Sequence, residues 1–358
     1  MIPLCIADVA RLAGERLPQG VRDFVDGGSG DESTQAANRT ALDRVRLLPR
    51  VLGGTGEADT STKLLATTAG MPVAVAPMAY QRLLHADGEL AAARAARDAQ
   101  VPFIISTLSS CTMEEIASVG GPVWFQLYWV HGRDTVLDLV RRAEQAGCEA
   151  LVVTVDVPHM GRRLRDVRNG FSLPSDVVAA NLGPAPVSAA HTRQAGSSAV
   201  ATHTALAFDP AVGWDDLAWL RGQTTLPLVL KGILDPRDAE RAVDLGADGV
   251  IVSNHGGRQF AAAVPSVTAL PEVLDAVGGR CSVLFDSGVR TGMDVLRAVA
   301  LGADGVLCGR PVLWGLAADG EAGARLVLEL LHTELREALL LSGCPDLAAA
   351  GELRTVHV

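Results

Sequence analysis

The chain has 358 residues, of which 48% are hydrophobic and 20% are charged. These proportions describe a globular protein with an ample core, and they exclude a disordered or fibrous chain. The formal net charge of −10 argues against a nucleic-acid-binding protein, which needs a basic surface.

The cysteines and the apolar runs indicate the cellular compartment of the protein. Six cysteines stand singly, without CxxC or CxxH spacing, a distribution typical of reduced thiols and not of a disulfide frame or a zinc site. No basic-then-apolar leader opens the chain, and no run of 18 apolar residues occurs in it. We therefore expect a cytoplasmic protein with no metal site, no membrane attachment and no nucleic-acid partner.

The first 70 residues contain amphipathic helical patterns, of which residues 5–17 (CIADVARLAGERL) are one. They lie outside the repeated pattern that follows. We expect this N-terminal helical extension to pack across the bottom or the side of the domain.

From residue 71 onward, short apolar runs alternate with amphipathic helical stretches. Eight runs are apolar nearly throughout, as in a parallel sheet that is covered on both faces; they are residues 71–79, 102–107, 123–129, 150–156, 226–233, 249–256, 282–288 and 305–311. Helical patterns lie between them, for example at residues 134–147, 236–246 and 292–302.

An internal repeat indicates how these units are arranged. The hexapeptide LGADGV occurs at residues 245–250 and again at 301–306, each time between a helix pattern and a strand pattern. Eight βα units in series close most simply into a (β/α)8 barrel, known as a TIM barrel. The alternative is an open doubly wound sheet, but no GxGxxG follows the first strand. We expect one domain over residues 1–358, with residues 172–212 as a long mobile loop or lid after the fourth strand.

The active site of such a barrel lies at the carboxyl ends of its strands. The loops after strands seven and eight, DSGVR (286–290) and CGRP (308–311), each combine a glycine with an arginine. Because glycine has no side chain, the backbone N–H groups of these loops can approach a phosphate closely. Arg290 and Arg310 can form bidentate hydrogen bonds with its oxygens. The alternative is two tight turns with solvated arginines.

Two further strand ends carry charged groups. Lys231 ends an apolar strand, where it either stabilises negative charge on a cofactor or extends its ammonium group to solvent. His255 ends the sixth strand, where an imidazole can act as a base. Asp156 is the natural group to orient it, and two glycines turn the chain so that Arg258 returns to the pocket. This set suits a substrate with a proton to lose and a carboxylate to be held.

At these residues the sequence resembles the FMN-dependent (S)-2-hydroxy acid oxidases and dehydrogenases, the family of glycolate oxidase, lactate oxidase and mandelate dehydrogenase. The resemblance rests on SNHGGRQ (253–259), FQLY (125–128), TVDVPHMGRR (154–163), LVLKGI (228–233), DSGVR and CGRP, and it extends from about residue 5 to residue 345. Within the family, the chain looks most similar to members that oxidise 4-hydroxymandelate in glycopeptide-antibiotic pathways.

The resemblance implies a role for each matching position. FMN is expected to contact Ala76, Pro77, Met78, Ala79, Ser109, Gln126, Thr154, Lys231, Ser253, Asp286, Gly288, Arg290, Gly309 and Arg310. His255 is the implied base, paired with Asp156, and it takes a proton either from the substrate hydroxyl or from the α carbon. Arg163 and Arg258 are expected to hold the substrate carboxylate, and Tyr128 to hydrogen-bond the substrate oxygens. Family members are commonly tetramers.

The sequence departs from the family pattern at two places. Phe24 stands where most members carry a tyrosine whose hydroxyl reaches the carboxylate, and FAAA (260–263) replaces an aspartate that supports Arg258. Losing a hydrogen bond to a charged group costs roughly 1.5–3 kcal/mol, whereas burying about 100 Å² of a substrate phenyl ring recovers about 2.5 kcal/mol. Phe24 therefore favours an aromatic 2-hydroxy acid.

The expected reaction is oxidation of (S)-4-hydroxymandelate or mandelate to the 2-keto acid, with O2 reduced to H2O2. Three alternatives stay open at this stage. One is an aliphatic substrate such as lactate or glycolate, with oxygen or another electron acceptor. The second is another FMN barrel, such as a type 2 isopentenyl diphosphate isomerase. The third is a flavin-binding module without turnover.

Overall fold

The structure is a computed structural model that describes residues 2–54, 56–183 and 189–358. The chain begins with three helices and three short strands. They are α1 (Ile6–Arg16), α2 (Gln19–Asp26), α3 (Ser33–Arg44), β1 (Val45–Leu47), β2 (Thr62–Leu64) and β3 (Thr67–Ala69).

Eight parallel strands then close into a barrel, in the neighbour order β10-β11-β4-β5-β6-β7-β8-β9. They are β4 (Val73–Val75), β5 (Phe103–Ser106), β6 (Val123–Leu127), β7 (Leu151–Thr154), β8 (Leu228–Ile233), β9 (Gly249–Val252), β10 (Ser282–Phe285) and β11 (Gly305–Cys308). Each strand lies inside one of the eight apolar runs. The predicted (β/α)8 barrel is confirmed, and the open sheet is excluded because β11 pairs with β4.

Helices surround the barrel, as the alternating pattern predicts. They are α4 (Gly88–Asp98), α5 (Met113–Ala117), α6 (Arg133–Gln145), α7 (Leu164–Asn169), α8 (Ala199–Ala207), α9 (Trp214–Arg221), α10 (Pro236–Asp244), α11 (Ser266–Val277), α12 (Gly292–Ala300), α13 (Arg310–Leu341, kinked at Asp319 and Gly320) and α14 (Leu347–Gly351). A last strand, β12 (Thr355–His357), pairs antiparallel with β1. The three helices expected at 134–147, 236–246 and 292–302 correspond to α6, α10 and α12. No helix in the described ranges is both long enough and apolar enough to span a membrane.

The N-terminal extension occupies both ends of the barrel, so its expected position is only partly right. The β2–β3 hairpin closes the bottom: Leu64 packs beside Gly305, and Trp124 Nε1 inside the barrel donates to Thr67 Oγ1 at 3.0 Å. By contrast, α2 and α3 lie at the carboxyl ends of the strands. Asn38 on α3 exchanges two side-chain hydrogen bonds with Asn254, which follows β9. The expected helices are present as α1, α2 and α3, and the extension also contains the short strands β1, β2 and β3.

The stretch 172–212 lies in the long connection after the fourth barrel strand, β7, as expected. It contains α8 and two short 3-10 turns, Ala180–Leu182 and Ala189–His191, while residues 184–188 lie outside the described residues. The hydroxyl of Ser198 accepts from the N–H of Ala201 at 3.4 Å and so caps α8, whose four alanines favour a helix.

Candidate active site

One large cavity opens at the carboxyl ends of the strands, with about 1320 Å³ of space including its mouth. Most residues singled out from the sequence line it: Phe24, Ala76, Pro77, Met78, Ala79, Tyr128, Thr154, Arg163, Lys231, His255, Arg258, Asp286, Gly288, Arg290, Gly309 and Arg310. Asp156, Ser109, Gln126 and Ser253 do not line it directly. Residues from seven barrel strands or the loops after them, and from the N-terminal extension, thus meet in one place.

His255 and Asp156 form a half-buried pair at the cavity wall. Nδ1 of His255 lies 3.0 Å from Oδ1 and 3.2 Å from Oδ2 of Asp156. With Nδ1 held by the carboxylate, Nε2 is the ring atom left to exchange a proton. Burial lowers the pKa of His255, an effect that Asp156 opposes and Lys231 reinforces. The imidazole is therefore neutral near pH 7 and can act as a base.

The backbone at the end of β9 is bent into a conformation that explains the two glycines of the motif. His255 itself has φ +59, and Gly256 and Gly257 have φ +66 and +75. A Cβ on Gly257 would lie 2.6 Å from the backbone N of Gln35 on α3. A left-handed conformation at a residue other than glycine marks local strain, and such strain is concentrated at functional sites. Here it places the imidazole and Arg258 on the same cavity.

Lys231 carries a buried positive charge at the floor of the cavity. Its Nζ lies 3.0 Å from Oδ2 of Asp286 and donates to Ser253 Oγ at 2.8 Å. Burial alone would lower the pKa of Lys231, but Asp286 and Asp156 more than compensate and raise it. The ammonium group therefore stays charged, so the alternative of a lysine extended to solvent is wrong.

Four arginines on this cavity have no carboxylate within 4.0 Å in the described part of the chain; they are Arg163, Arg258, Arg290 and Arg310. Burial lowers the pKa of all four. For Arg163, burial and the neighbouring Arg258 lower it to about 9. Buried charges are normally paired. An unpaired cluster of this kind is suited to bind anionic groups from outside the chain.

Arg258 and Arg310 are anchored by backbone carbonyls at the end of α2. Arg258 Nη1 donates to the carbonyl oxygens of Val25 at 3.1 Å and Gly27 at 2.7 Å, and Arg310 Nε also donates to Val25 at 3.1 Å. The carboxyl end of a helix attracts cations. These carbonyls therefore support Arg258 in place of the aspartate that is missing from FAAA (260–263).

Phe24 lies beside both guanidinium groups of the predicted carboxylate clamp. Its ring centroid is 5.9 Å from Cζ of Arg163 and 5.6 Å from Cζ of Arg258, and its other face stacks on Phe171 at 4.7 Å. The ring contributes cation–π attraction but no hydrogen bond. It therefore presents an apolar surface to a ligand held by the two arginines.

Three predicted cofactor residues lie behind the cavity wall. The hydroxyl of Ser109 donates to the carbonyl of Cys111 at 2.7 Å, so its side chain does not reach the cavity and Ser106 lines it instead. Ser253 acts through Lys231, as described above. Gln126 is fully buried, and its Nε2 has no hydrogen-bond partner within the described ranges.

These residues fit FMN. A flavin mononucleotide presents a phosphate dianion and a planar ring with hydrogen-bonding edges. The unpaired guanidiniums of Arg290 and Arg310 match the phosphate, and the charged Lys231 and unpaired amide of Gln126 match polar ring atoms. The residues at the end of β4, from Ala76 to Ala79, add an apolar wall for the ring.

Sequence reasoning missed several contributors. Gln259 belongs to the quoted motif but received no role. Its Nε2 donates to the carbonyls of Asp156 at 3.0 Å and His159 at 2.9 Å and so connects the loops after β7 and β9. The carboxylate of Asp166 is buried, and neither of its oxygens has a hydrogen-bond partner among the described residues. Burial raises its pKa, and Arg163 and Arg258 oppose this effect electrostatically. Asp166 on α7 follows Arg163 by three residues, and this spacing could have indicated from the sequence that the two side chains lie close together.

The apolar end of the cavity was also missed. Val200, Thr204 and Phe208 from α8 and its end line the cavity together with Tyr80, Leu83, Leu84 and Met160. The ring of Phe208 stacks on Tyr128 at 4.6 Å. The alanine-rich sequence after Ser198 could have indicated the helix, but its position over the barrel depends on the fold.

Comparisons with known proteins agree with this site. A family model described as FMN-dependent dehydrogenase matches residues 13–355. The chain is 56% identical to a 4-hydroxymandelate oxidase of Amycolatopsis orientalis over 355 residues, covering 99% of both chains. It is 45% identical to an L-lactate oxidase of Nostoc sp., covering 96% of each.

A crystal structure of mandelate oxidase with (S)-4-hydroxymandelic acid superimposes with a TM-score of 0.97, at 56% identity and 99% coverage of both chains. The family match spans nearly the whole chain and includes every strand of the barrel. The chain therefore belongs to the FMN-dependent dehydrogenase family and is an FMN-dependent oxidoreductase.

Proposed function

We propose that this enzyme oxidises an aromatic (S)-2-hydroxy acid, (S)-4-hydroxymandelate or mandelate, to the 2-keto acid, with O2 reduced to H2O2. For 4-hydroxymandelate the product is 4-hydroxybenzoylformate. The observation that carries the proposal is the neutral His255 imidazole beside two buried guanidiniums without counter-ions, Arg163 and Arg258, all on one cavity. The names of the relatives support the substrate class.

The proposed roles of the side chains follow from charge and position. Arg163 and Arg258 hold the substrate carboxylate, since both line the cavity and neither has a carboxylate within 4.0 Å in the described part of the chain. Tyr128 lies on the same cavity, and burial raises its pKa, so its phenol stays neutral and donates to a substrate oxygen. Phe24 and the α8 side chains Val200 and Phe208 surround the rest of the substrate.

His255 is the proposed base. Its Nε2 accepts one proton from the substrate, and Asp156 stabilises the imidazolium that results. When bound, FMN would accept the two electrons that leave the substrate carbon. Lys231 holds a fixed positive charge on the same cavity, where it favours negative charge that develops during the reaction.

An aromatic substrate is favoured over glycolate or lactate by the apolar end of the cavity. Leu83, Leu84 and Met160 line it along with the α8 residues, and a two- or three-carbon acid would leave these side chains without a partner. Burying about 100 Å² of a phenyl ring against them stabilises the complex by about 2.5 kcal/mol.

A substrate panel tests the proposal. Purified enzyme carrying FMN is mixed under air with (S)-4-hydroxymandelate, (S)-mandelate, (S)-lactate and glycolate, and peroxide is measured. The same mixtures without oxygen report reduction as loss of the yellow flavin absorbance. We expect the aromatic acids to bleach the flavin and to yield peroxide under air. Bleaching by glycolate or lactate alone would contradict the aromatic assignment, and bleaching by none of the four would leave a flavin-binding module.

The domain organisation, the cellular compartment and the oligomeric state also belong to the proposal. We infer one FMN-binding domain over residues 1–358, with the stretch 172–212 as a lid that moves over the cavity. The six unpaired cysteines suit the reducing cytoplasm. Phe260 and Val264, 71% and 41% exposed beside the motif, offer an apolar patch that a tetramer would bury. A place in glycopeptide-antibiotic biosynthesis stays a prediction from the resemblance.

A further inference from the structure

Tyr80 carries a polar group that the proposed mechanism does not use. It lies in the loop after β4, where it has φ +56, and its backbone N–H donates to the carbonyl of Leu108 at 3.1 Å. The side chain lines the active-site cavity and is 1% exposed. Its hydroxyl has no hydrogen-bond partner among the described residues.

A buried hydroxyl without a hydrogen-bond partner lowers the stability of the folded chain. Leaving a buried donor unsatisfied costs roughly 1–3 kcal/mol, and buried polar atoms in native proteins are nearly always paired. Phenylalanine would fill the same space without that cost. Since Tyr80 borders the cavity, we expect its partner to be a group that enters the cavity from outside.

The order of the strands around the barrel indicates which part of a bound substrate lies near Tyr80. The strand β4 is four steps from β8 around the closed ring of eight strands, so the loops after these strands face each other across the mouth. The strands beside β8 are β7 and β9, and the loops after them carry Arg163 and Arg258. A substrate held by its carboxylate at these arginines extends its far end toward the loop that contains Tyr80.

The surroundings of Tyr80 match an aromatic ring at that far end. Leu83 and Leu84 from the same loop, and Val200, Thr204 and Phe208 from the α8 segment, line the cavity with it. Burial, with a smaller effect of Tyr128, raises the pKa of Tyr80. The phenol is therefore neutral and can donate a hydrogen bond.

We propose that the hydroxyl of Tyr80 hydrogen-bonds the para-hydroxyl group of the substrate ring and thereby selects 4-hydroxymandelate over mandelate. This inference rests on the proposed function, since it assumes that the carboxylate is bound by Arg163 and Arg258. In mandelic acids the carboxylate and the para position are at opposite ends of the molecule. Tyr80 is thus a specificity-determining residue and takes no part in proton transfer.

The test compares two substrates in the FMN-loaded enzyme and in the variant Tyr80→Phe. The expected result is a fall of about 3- to 10-fold in kcat/KM for (S)-4-hydroxymandelate, the value of one neutral hydrogen bond, with little change for (S)-mandelate. Unchanged flavin absorbance shows that the variant is folded and loaded. An equal effect on both substrates, or no effect on either, would overturn the proposal.

Thr204→Val is the matched control, because it removes a hydroxyl from another residue that lines the same cavity. Thr204 Oγ1 already donates to the carbonyl of Val200 at 2.8 Å, so we expect the substrate preference to stay as in the wild type. A preference lost in Thr204→Val and kept in Tyr80→Phe would assign the contact to Thr204 and contradict the proposal.

A binding measurement separates this inference from the proposed reaction. Calorimetric titration with benzoylformate and 4-hydroxybenzoylformate requires no turnover. We expect the wild type to bind the hydroxylated acid more tightly, and Tyr80→Phe to bind the two about equally. If the wild type oxidises neither 4-hydroxymandelate nor mandelate, the proposed function fails, but the titration still tests the role of Tyr80. The same binding preference in the wild type and in Tyr80→Phe would refute that role.

Discussion

Nδ1 of His255 lies 3.0 Å from Oδ1 of Asp156, although 99 positions of the chain separate the two residues. The pair joins the loops after β7 and β9, and Gln259 holds the two loops together. Because burial lowers the pKa of His255 below its usual 6.5, the base is already deprotonated at neutral pH. We therefore expect kcat/KM to rise with pH along an acid limb whose midpoint lies below pH 6.5.

Replacing Asp156 by Asn tests the electrostatic part of this pair. Asp156 raises the pKa of His255 against the effect of burial, so its removal moves that pKa further down and the acid limb of the kcat/KM profile moves to lower pH. The plateau should fall by about 100- to 10,000-fold, since the imidazolium formed in the reaction loses its counter-ion. A full pH profile in both enzymes measures the two effects. An acid limb that stays in place would show that Asp156 does not act on the base.

Phe24→Tyr should shift the substrate preference toward small acids. The added hydroxyl lies beside the guanidiniums of Arg163 and Arg258 and can donate to a carboxylate bound there. A hydrogen bond to a charged group is worth roughly 1.5–3 kcal/mol, or about 10- to 150-fold in kcat/KM for glycolate. Steady-state kinetics measure the ratio of kcat/KM for glycolate to kcat/KM for (S)-mandelate in the wild type and in the variant.

Phe171→Tyr is the control for this variant. Phe171 stacks on Phe24 but does not line the cavity, so an added hydroxyl there should leave the ratio of the two substrates unchanged. An equal gain for glycolate in both variants would mean that loosened packing, and not the new hydrogen bond, is responsible.

Gly257→Ala and Gly279→Ala separate the cost of backbone conformation from the cost of crowding. The two glycines have nearly equal φ, +75 and +73, so both variants should lose about 1–2 kcal/mol of unfolding free energy from left-handed backbone alone. A Cβ on Gly257 also meets Gln35, whereas one on Gly279 meets nothing within 4 Å. Urea unfolding should therefore show the larger loss for Gly257→Ala. Equal losses would contradict the close approach of α3 to the motif.

The barrel and most of its rim could be predicted from the sequence, because the signals involved are local. A parallel strand covered on both faces must be apolar nearly throughout, so a charged residue at its end, such as Lys231 or His255, stands out. The family motifs then supplied roles for Arg163 and Arg258, whose partners are distant in sequence.

Other features depend on long-range packing and left little local signal. Nothing in the sequence near Phe24 indicates that the carboxyl end of α2 would hold Arg258 and Arg310 by its carbonyls. The choice between Ser106 and Ser109 as the cavity residue depends on the turn after β5. Asn181 stabilises this turn by donating to the carbonyl of Ser106, and Glu89 by accepting from the N–H of Ser110. The helix α8 lies in a stretch rich in Ala, Ser and Thr, where an apolar stripe is too weak to be recognised.

The most direct test of the account is a single turnover without oxygen in wild type and in His255→Ala, both loaded with FMN. Stopped-flow absorbance follows bleaching of the flavin after mixing with (S)-4-hydroxymandelate, and 4-hydroxybenzoylformate is measured at the end. The account predicts rapid bleaching in the wild type and a rate at least about 100-fold lower in the variant, with flavin content unchanged. Bleaching at the wild-type rate in His255→Ala would contradict the assignment of His255 as the base.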